Sequence, residues 1–310
     1  MEFKKVMVTG GSGFIGSYVV ENLIKRGITP LVFDHRIKKI YPGETELYLG
    51  DTRDFTSVNE AVAICDGVIH LAGVLGTSET IYEPRPSVET NIYGGLNIFQ
   101  ACNNYAKRCS YISVGNYWMN NSYSITKDTA ERFAWMFNRE LGTKIAVTRA
   151  LNAYGPRQSH APVRKIMPNF VLPALQDKEI IVYGDGSQIM DMIYVADVAD
   201  VLVRALVEDH NQYLYNPVHG ENKAPKFDIG TGRRTAVQQI AEEVIKQVGK
   251  GRIKNVPMRK GEPEGSVVLG DPETLRPLYG GELPELVKLE DGIALTIEYY
   301  RKKLEDESKS

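Results

Sequence analysis

The chain has 310 residues, of which 43% are hydrophobic and 25% are charged, the ordinary composition of a globular protein with a large core. Lys and Arg number 37 against 39 Asp and Glu, so the formal net charge of −2 excludes a general basic field for nucleic acid or an anionic membrane. No apolar run approaches the ~20 residues that cross a bilayer. This length allows either one large α/β unit or a nucleotide-binding domain with a substrate lobe, and we favour the second.

Strand-like and helix-like stretches alternate through the first half of the chain. In order they are KKVMVTG (4–10), a helix over 16–25, PLVFD (30–34), ELYLG (46–50), a helix near 57–64, GVIHLAG (67–73), a helix near 87–105, SYISV (110–114), a helix over 123–141 and KIAVTRAL (144–151). Such alternation predicts right-handed βαβ units. The expected fold class is α/β, with a Rossmann-type, doubly wound parallel sheet over residues 1–151.

The pattern loosens after residue 151, where two segments rich in Pro, Gly and polar residues break regular elements. They are AYGPRQSHAPVRKIMP (153–168) and YNPVHGENKAPKF (215–227). We therefore expect a smaller substrate-binding lobe over 152–191 and 211–305, and a frayed tail over 306–310. The helix-like VADVADVLVRAL (195–206) is expected to pack back on the sheet with the rest of 192–210, so that the two lobes interleave.

The three cysteines carry information about the compartment. Cys65, Cys102 and Cys109 are odd in number and lack metal-ligand spacing, which favours a reducing compartment, small apolar roles and no metal site. The chain also enters its first strand without the apolar stretch and cleavage site of a signal peptide. We expect a cytoplasmic protein.

A glycine-rich loop follows the first strand and precedes a helix. Its glycines permit a tight turn and let the backbone approach a pyrophosphate, which lies against the unpaired amides of the helix N-terminus. Asp34 ends the next strand, eighteen residues beyond Gly16, where its carboxylate would bind the adenosine ribose and repel a 2′-phosphate. The pattern predicts NAD rather than NADP, although Arg36 could soften the preference. The predicted cofactor contacts here are Gly10, Gly13, Phe14, Ile15, Gly16 and Asp34.

Several longer segments share one family's order along the chain. They are TGGSGFIG (9–16), GDTRD (50–54), HLAG (70–73), TNIYGGLNIFQAC (90–102), RALNAYGPRQ (149–158), VYGDGSQIMDMIYVADVAD (182–200) and RKGEPEGSVVLGD (259–271). In these the chain resembles the extended short-chain dehydrogenases/reductases, specifically the nucleotide-sugar epimerase/dehydratase branch. The resemblance implies cofactor contacts at Asp51, Thr52, Leu71, Ala72, Gly73 and Asn91, and substrate contacts at Asn152 and Arg259.

Tyr123 and Lys127 stand where this family has its catalytic pair, after the fifth strand. Residues four apart share one helix face. Lys127 is expected to bind the nicotinamide ribose and to lower the pKa of the Tyr123 phenol. Tyr123 would then take a proton from a sugar hydroxyl as the carbon beneath it gives hydride to NAD. Both residues therefore count as catalytic and as cofactor contacts.

The chain departs from the family at the end of the fifth strand. The usual Ser or Thr that binds the reacting oxygen is replaced by Val114. Ser113 is the first candidate substitute, although a strand residue one position away points to the opposite face, and Ser113 could equally serve local backbone. The open alternatives are Ser122, Ser124 and Thr126.

Other departures bear on the reaction and on phosphate binding. Dehydratases of the family place Asp-Glu, and decarboxylases a Glu, where Gly115 and Asn116 stand here, and neither residue exchanges a proton. Tyr117 could stack on a sugar or base, or belong to the core. Met190 replaces an arginine, so phosphate binding must rely on Arg259. Its possible helpers are Arg157, Arg164 and Lys165.

These features predict NAD-dependent 4-epimerisation of a nucleoside-diphosphate sugar through a transient 4-keto intermediate. Alternatives are a dehydratase, an oxidase/decarboxylase or a reductase with atypical acids, or a catalytically silent NAD-binding sensor, which Val114 keeps open. We also expect a homodimer through the helices near 87–105 and 123–141. The apolar surface for that interface, beyond what the helix needs to cover the sheet, would come from Phe133, Ala134, Met136 and Phe137, unless these residues all belong to the core.

Overall fold

Continuous apolar runs form the strands of the first half, because a parallel sheet is buried on both faces. The computed structural model describes residues 2–38, 41–213 and 225–309. Its first six strands are β1 (Lys5–Thr9), β2 (Thr29–Asp34), β3 (Glu46–Leu49), β4 (Gly67–His70), β5 (Arg108–Val114) and β6 (Ile145–Ala150). In β5 every residue after Arg108 is buried.

The helices between these strands are α1 (Phe14–Lys25), α2 (Phe55–Ala63), α3 (Arg85–Ser87), α4 (Gly94–Asn104) and α5 (Ser122–Leu141). A π-helical turn, Val88–Tyr93, joins α3 to α4, so the helix expected near 87–105 changes its winding midway. Asn121 caps α5 by accepting a hydrogen bond from the Ser124 N–H at 2.9 Å, and Gly142 ends it at φ 68°. The cap fixes the first turn of α5, which carries Tyr123.

The second half contributes shorter elements. They are β7 (Asn152–Tyr154), α6 (Ile166–Leu175), β8 (Glu179–Tyr183), β9 (Ile189–Met190), β10 (Met192–Tyr194), α7 (Val195–Val207), β11 (Phe227–Ile229), β12 (Thr235–Ala236), α8 (Val237–Val248), β13 (Arg252–Val256), β14 (Val267–Val268), a 3₁₀ helix Pro272–Leu278, and α9 (Leu289–Lys309). Of the loop-rich segment 215–227, only 225–227 lie within the described residues. The tail expected to fray from 306 is instead helical to Lys309, and a Lys303–Glu307 pair at 3.9 Å spans its last turns.

The main sheet has seven parallel strands in the order β3-β2-β1-β4-β5-β6-β11. This confirms the Rossmann-type α/β fold. The seventh strand was not predicted, because three residues are too short for a recognisable period. It corrects the lobe boundary, since β11 belongs to a range that the sequence assigned wholly to the substrate lobe, and Phe227 pairs with Thr148 of β6.

Helices cover both faces of the sheet. One apolar core lies between the sheet and α1 with α7, and the 3₁₀ helix adds Leu275 and Leu278 to it. A second core lies between the sheet and α2, α4 and α5 and includes Ala134 and Phe137, which therefore add nothing to an apolar outer surface. A third core joins α6, α8 and α9 in the lobe. No helix in the described ranges is long and apolar enough to cross a membrane.

Candidate active site

A cavity of about 790 Å³ opens at the carboxyl ends of the sheet strands, against the second lobe. Such a crevice is where ligands bind in open α/β sheets. Sixteen of the residues predicted for the site line it: Gly10, Gly13, Phe14, Ile15, Gly16, Asp34, Asp51, Thr52, Leu71, Ala72, Gly73, Ser113, Tyr123, Lys127, Asn152 and Arg259. Asn91 and Tyr117 are not among the lining residues.

The glycine loop is built for close backbone approach. Gly10 has φ 68°, and a Cβ on Gly16 would lie 2.2 Å from the Gly10 carbonyl oxygen. That contact is with backbone, so no side chain fits there. The Ser12 N–H donates to the Asp34 carboxylate at 3.2 Å, which brings the acid beside the loop at the N-terminus of α1. Loop and carboxylate together fit a dinucleotide's pyrophosphate and ribose.

Two arginines lie near the acids at this end of the cavity. Arg36 is exposed and does not line the cavity, and only its backbone N–H contacts Asp34, at 3.1 Å. Its guanidinium therefore does not offset the carboxylate that repels a 2′-phosphate. Arg53 donates to Asp51 at 2.7 Å, and this hydrogen bond holds the pKa of the Asp51 carboxyl below its usual range.

Tyr123 and Lys127 lie on one face of α5 and both line the cavity. Lys127 is buried, with its Nζ 4.4 Å from the centroid of the Tyr111 ring. Burial lowers the pKa of Lys127 to about 7, and Glu131 opposes the shift. Burial raises the pKa of the Tyr123 phenol above its usual value, which corrects the expectation that Lys127 lowers it. The Lys127 ammonium lies over the Tyr111 ring and does not offset the effect of burial on the pKa of Tyr123.

A polar column beneath this pair joins β1 to β4. The Thr9 hydroxyl bonds His70 Nδ1 at 2.7 Å and accepts the backbone N–H groups of Leu71 and Ala72, both at 3.1 Å. The His70 ring stacks on Tyr111 at 5.6 Å. Burial lowers the pKa of His70 to about 3, so the imidazole is neutral. Sequence reasoning missed this column, which fixes the strand ends under the predicted nicotinamide site.

The Ser113 hydroxyl already has a hydrogen-bond partner within the protein. It donates to Glu131 of α5 at 2.5 Å, and Arg149 of β6 binds the same buried carboxylate through Nε at 3.0 Å and Nη2 at 2.6 Å. Burial raises the pKa of Glu131, and Arg149 partly offsets the shift. The structure therefore gives the Ser113 hydroxyl a structural partner, and its expected contact with the reacting oxygen stays a prediction. Glu131 lies four residues after Lys127 and therefore shares its helix face. This spacing could have identified Glu131 from the sequence as a neighbour of Lys127.

Two further predicted contacts occupy supporting positions. Tyr117 is half exposed and stacks on the Arg149 guanidinium, 3.9 Å from the ring centroid, rather than lining the cavity. Asn91 is buried behind the cavity wall. It accepts the Val74 N–H at 2.8 Å and donates to the Thr126 hydroxyl at 3.0 Å, so it ties the loop after β4 to α5. The Thr126 hydroxyl, one of the alternatives to Ser113, is therefore already hydrogen-bonded to Asn91.

Charged residues gather around Arg259 at the lobe side of the cavity. Arg164, Lys165, Glu79 and Glu262 line the cavity with it. Arg157, a suggested helper, instead pairs with Glu21 of α1 at 2.6 Å, away from the cavity. The Asn152 amide donates to the Asp191 carbonyl at 3.2 Å.

The cavity's acids are few. Its lining carboxylates are Asp34, Asp51, Glu79 and Glu262. Directly after β5 the lining residues are Gly115 and Asn116, and a Cβ on Gly115 would lie 2.3 Å from a Leu151 methyl group. Within the described ranges, no three His, Cys, Asp or Glu residues cluster as metal ligands.

Comparison with known proteins identifies a family that this chain matches. Residues 6–216 match the model of the NAD dependent epimerase/dehydratase family. The chain is 27% identical to the UDP-N-acetyl-alpha-D-glucosaminuronate decarboxylase of Bacillus cytotoxicus, over 96% of this chain and 98% of that protein. It is 26% identical to a putative UDP-glucose 4-epimerase of Methanocaldococcus jannaschii, over 79% and 82% of the two chains.

Solved structures agree with this family. The UDP-glucose 4-epimerase of Thermotoga maritima with UDP-glucose superposes with a TM-score of 0.85 at 28% identity, covering 97% of this chain and 99% of that one. The UDP-glucose 4-epimerase of Thermus thermophilus in complex with NAD gives 0.82 at 25% identity, covering 96% and 99%.

Proposed function

The chain belongs to the NAD-dependent epimerase/dehydratase family, and on that basis we propose that it catalyses NAD-dependent 4-epimerisation of a nucleoside-diphosphate sugar. The observation that carries the proposal is the chemistry around Tyr123. Among the cavity's carboxylates, Asp34 and Asp51 lie at the predicted adenosine end, and Glu79 and Glu262 are bound to cations. Among the described residues that line the cavity, no unpaired carboxyl group is thus left to assist Tyr123.

Epimerisation needs only one such base. NAD supplies the acceptor and donor of a hydride at the sugar carbon. Tyr123 takes the proton of the hydroxyl on that carbon and returns it after the 4-keto sugar has presented its other face. Dehydration needs a second acid to protonate a leaving hydroxyl, and Gly115 and Asn116 do not provide one. The residues around Tyr123 therefore favour epimerisation, because that reaction returns to the sugar both the proton and the hydride that were removed from it.

Lys127 supports this chemistry through its charge. Its pKa of about 7 lets the buried amine hold or release a proton near neutral pH. Burial raises the pKa of the Tyr123 phenol in the described structure, where the Lys127 ammonium lies over Tyr111, so the proposed lowering of that pKa requires the ammonium to turn from Tyr111 toward the phenol. The same ammonium is proposed to bind the nicotinamide ribose.

A second candidate is decarboxylation of a nucleoside-diphosphate uronate. It is favoured by the match to the UDP-N-acetyl-alpha-D-glucosaminuronate decarboxylase over nearly the full length of both chains. Oxidation at the same carbon makes a keto acid that loses carbon dioxide readily. The enolate left behind must then be protonated, and no unpaired carboxyl group lines the cavity for that step within the described residues.

One assay separates the candidates. The NAD-loaded enzyme is incubated with UDP-, dTDP-, GDP- and CDP-sugars, including uronates, and products are analysed by chromatography with mass spectrometry. A change in retention without a change in mass supports 4-epimerisation. Loss of 18 mass units as water or 44 as carbon dioxide, both fixed by the chemical formulae, would reject it in favour of dehydration or decarboxylation.

We also propose a homodimer. An exposed stripe, Ile125, Arg132 and Met136, runs along α5, and Val88 and Tyr93 of the neighbouring π-helical turn are exposed beside it. An isologous contact through these helices would bury that surface. Light scattering at micromolar concentration should give twice the mass of the chain, and Ile125→Glu should lower it. A monomeric wild-type protein would exclude the dimer.

A cytoplasmic location is likewise a proposal. Cys65, Cys102 and Cys109 are free and buried in the structure, which suits a reducing compartment. Fractionation of the source cells with immunoblotting tests it. Recovery in an extracellular fraction would contradict it.

A further inference from the structure

Glu131 is a buried acid one helical turn beyond Lys127. Its side chain is 0% exposed, and Lys127, which is 4% exposed, lies on the same face of α5. Tyr123, Lys127 and Glu131 thus follow one another at four-residue intervals. Glu131 does not line the cavity, so a direct contact with a ligand does not account for a buried charge at this position.

Arg149 and Ser113 hold the Glu131 side chain as a carboxylate. Its Oε1 accepts from Arg149 Nε at 3.0 Å and from Nη2 at 2.6 Å, and its Oε2 accepts from Nε at 3.1 Å and from the Ser113 hydroxyl. Both oxygens act as acceptors, and a guanidinium keeps its proton in proteins. Ser113 and Arg149 are also paired across β5 and β6. Glu131 is therefore a negative charge in a fixed position.

The rings nearest to the Lys127 ammonium carry no charge. Nζ lies 4.4 Å from the centroid of the Tyr111 ring, and the Tyr111 hydroxyl donates to the Lys127 carbonyl at 3.2 Å. His70 stacks on the Tyr111 ring. Burial raises the pKa of Tyr111 and lowers that of His70 to about 3, so both are neutral. Neither ring supplies a counter-ion for Lys127.

The other acids close to this part of α5 are paired elsewhere. Asp128 of α5 itself binds Arg132 at 3.1 Å. The elements that pack against α5 are α3, the π-helical turn, α4, β5 and β6, whose charged and titratable residues are Arg85, Glu89, Tyr93, Cys102, Arg108, Cys109, Tyr111 and Arg149. Glu89, the one acid among these, is exposed and lies 3.3 Å from Arg53.

Glu131 therefore has two buried cations beside it, Arg149 and Lys127. Burial lowers the pKa of Lys127 to about 7, and Glu131 opposes the shift. Without the carboxylate, Arg149 and Lys127 would be two buried cations without a counter-ion. Lys127 would then lose its proton at a lower pH, because the lysine can become neutral and the arginine cannot.

We propose that Glu131 is a positioning residue of this site, which acts through Lys127 as the buried counter-ion that keeps this side chain an ammonium. The proposal rests on the proposed function in one respect, namely that the ammonium assists Tyr123 and binds the nicotinamide ribose. It also assigns a task to the bonds from Ser113 and Arg149, since they hold the carboxylate one turn from Lys127.

The charge of Lys127 can be followed directly. NAD-loaded protein with ¹³C at the lysine Cε atoms is titrated by NMR, and the resonance missing from Lys127→Met identifies the residue. In Glu131→Gln, which keeps an oxygen for Arg149, the midpoint of the Lys127 titration should fall by about one pH unit, the lower end of what a nearby opposite charge contributes. Asp128→Asn removes the same charge one residue from Lys127, at a side chain that is 23% exposed and already paired. Its midpoint should move by less than about 0.3 pH unit.

A kinetic measurement shows whether this charge serves the reaction. In Glu131→Gln the alkaline limb of the kcat/KM profile should move to lower pH by the same amount, because a neutral lysine no longer assists Tyr123. Glu131→Asp keeps the charge and should keep the wild-type limb. A role confined to stability would lower Tm in Glu131→Gln and leave the limb in place.

A second variant covers the case in which Glu131→Gln does not fold. Glu131→Gln with Arg149→Met leaves no buried guanidinium without its carboxylate, and the Lys127 midpoint should still fall, because Glu131 is the charge that opposes the loss of its proton. An unchanged midpoint, or an equal fall in Asp128→Asn, would overturn the proposal and leave the proposed function intact. A wild-type protein that converts no nucleoside-diphosphate sugar would refute the proposed function, and the NMR titration would still decide the role of Glu131.

Discussion

Ser113→Ala should cost stability and leave turnover nearly intact. The hydroxyl donates to the Glu131 carboxylate, and both groups are buried in the described structure. A hydrogen bond to a charged group contributes about 1.5–3 kcal/mol. Glu131 keeps its bonds to Arg149, including one at 3.1 Å to the oxygen that Ser113 contacts, so the lower end applies. For a chain of 310 residues, a loss of about 1.5 kcal/mol lowers Tm by roughly 2–3 °C.

The matched control lies on the same strand. Ser110 is also fully buried, but its hydroxyl has no hydrogen-bond partner within the described residues. Ser110→Ala should therefore leave Tm unchanged or raise it slightly, because it removes an unsatisfied polar atom. Both variants are compared by thermal unfolding at equal NAD saturation and by turnover of the substrate identified in the nucleotide-sugar panel.

The two readouts distinguish the structural role from a catalytic one. Turnover of Ser113→Ala should stay within about threefold of the wild type, since its hydroxyl points at Glu131. A loss of turnover of about tenfold or more, the scale of one transition-state hydrogen bond of about 1.4 kcal/mol, with Tm unchanged, would refute this reasoning. It would restore Ser113 as the substitute for the hydroxyl missing at Val114.

The remaining predictions concern the base, the lysine and the cofactor loop. Tyr123→Phe should reduce turnover by about 10²–10⁴-fold with NAD affinity nearly unchanged, and full activity would refute the mechanism. Burial lowers the pKa of Lys127 from 10.5 to about 7, so between these pH values the unfolded chain binds more protons and stability rises with pH. Lys127→Met should reduce that rise in urea titrations at pH 7 and 9, and equal slopes would contradict the shift. Asp34→Asn should improve NADP affinity relative to NAD by at least about tenfold, because adjacent like charges repel strongly. A cofactor titration showing no change would remove Asp34 as the discriminator. Gly16→Ala should abolish NAD binding, since its Cβ would meet the Gly10 carbonyl at 2.2 Å, and a retained affinity would count against the loop geometry.

The sequence alone determined the features that depend on neighbouring residues in the chain. The turn at the glycine loop needs positive φ at Gly10 and no side chain at Gly16, and both requirements are local. The four-residue spacing of Tyr123 and Lys127 sets their common helix face. Alternating strands and helices likewise gave the parallel sheet, since a right-handed βαβ unit follows from chain chirality.

Only the tertiary structure decided which polar groups are already occupied. Ser113 finds Glu131 eighteen residues away, and Arg259 finds Glu79 across 180 residues, so no local pattern reveals either pair. The same holds for β11, whose three residues form a strand because β6 offers an open edge. A residue's type states what it can bind, but partners distant in sequence compete for each donor and charge. Their competition is settled only when packing brings them together.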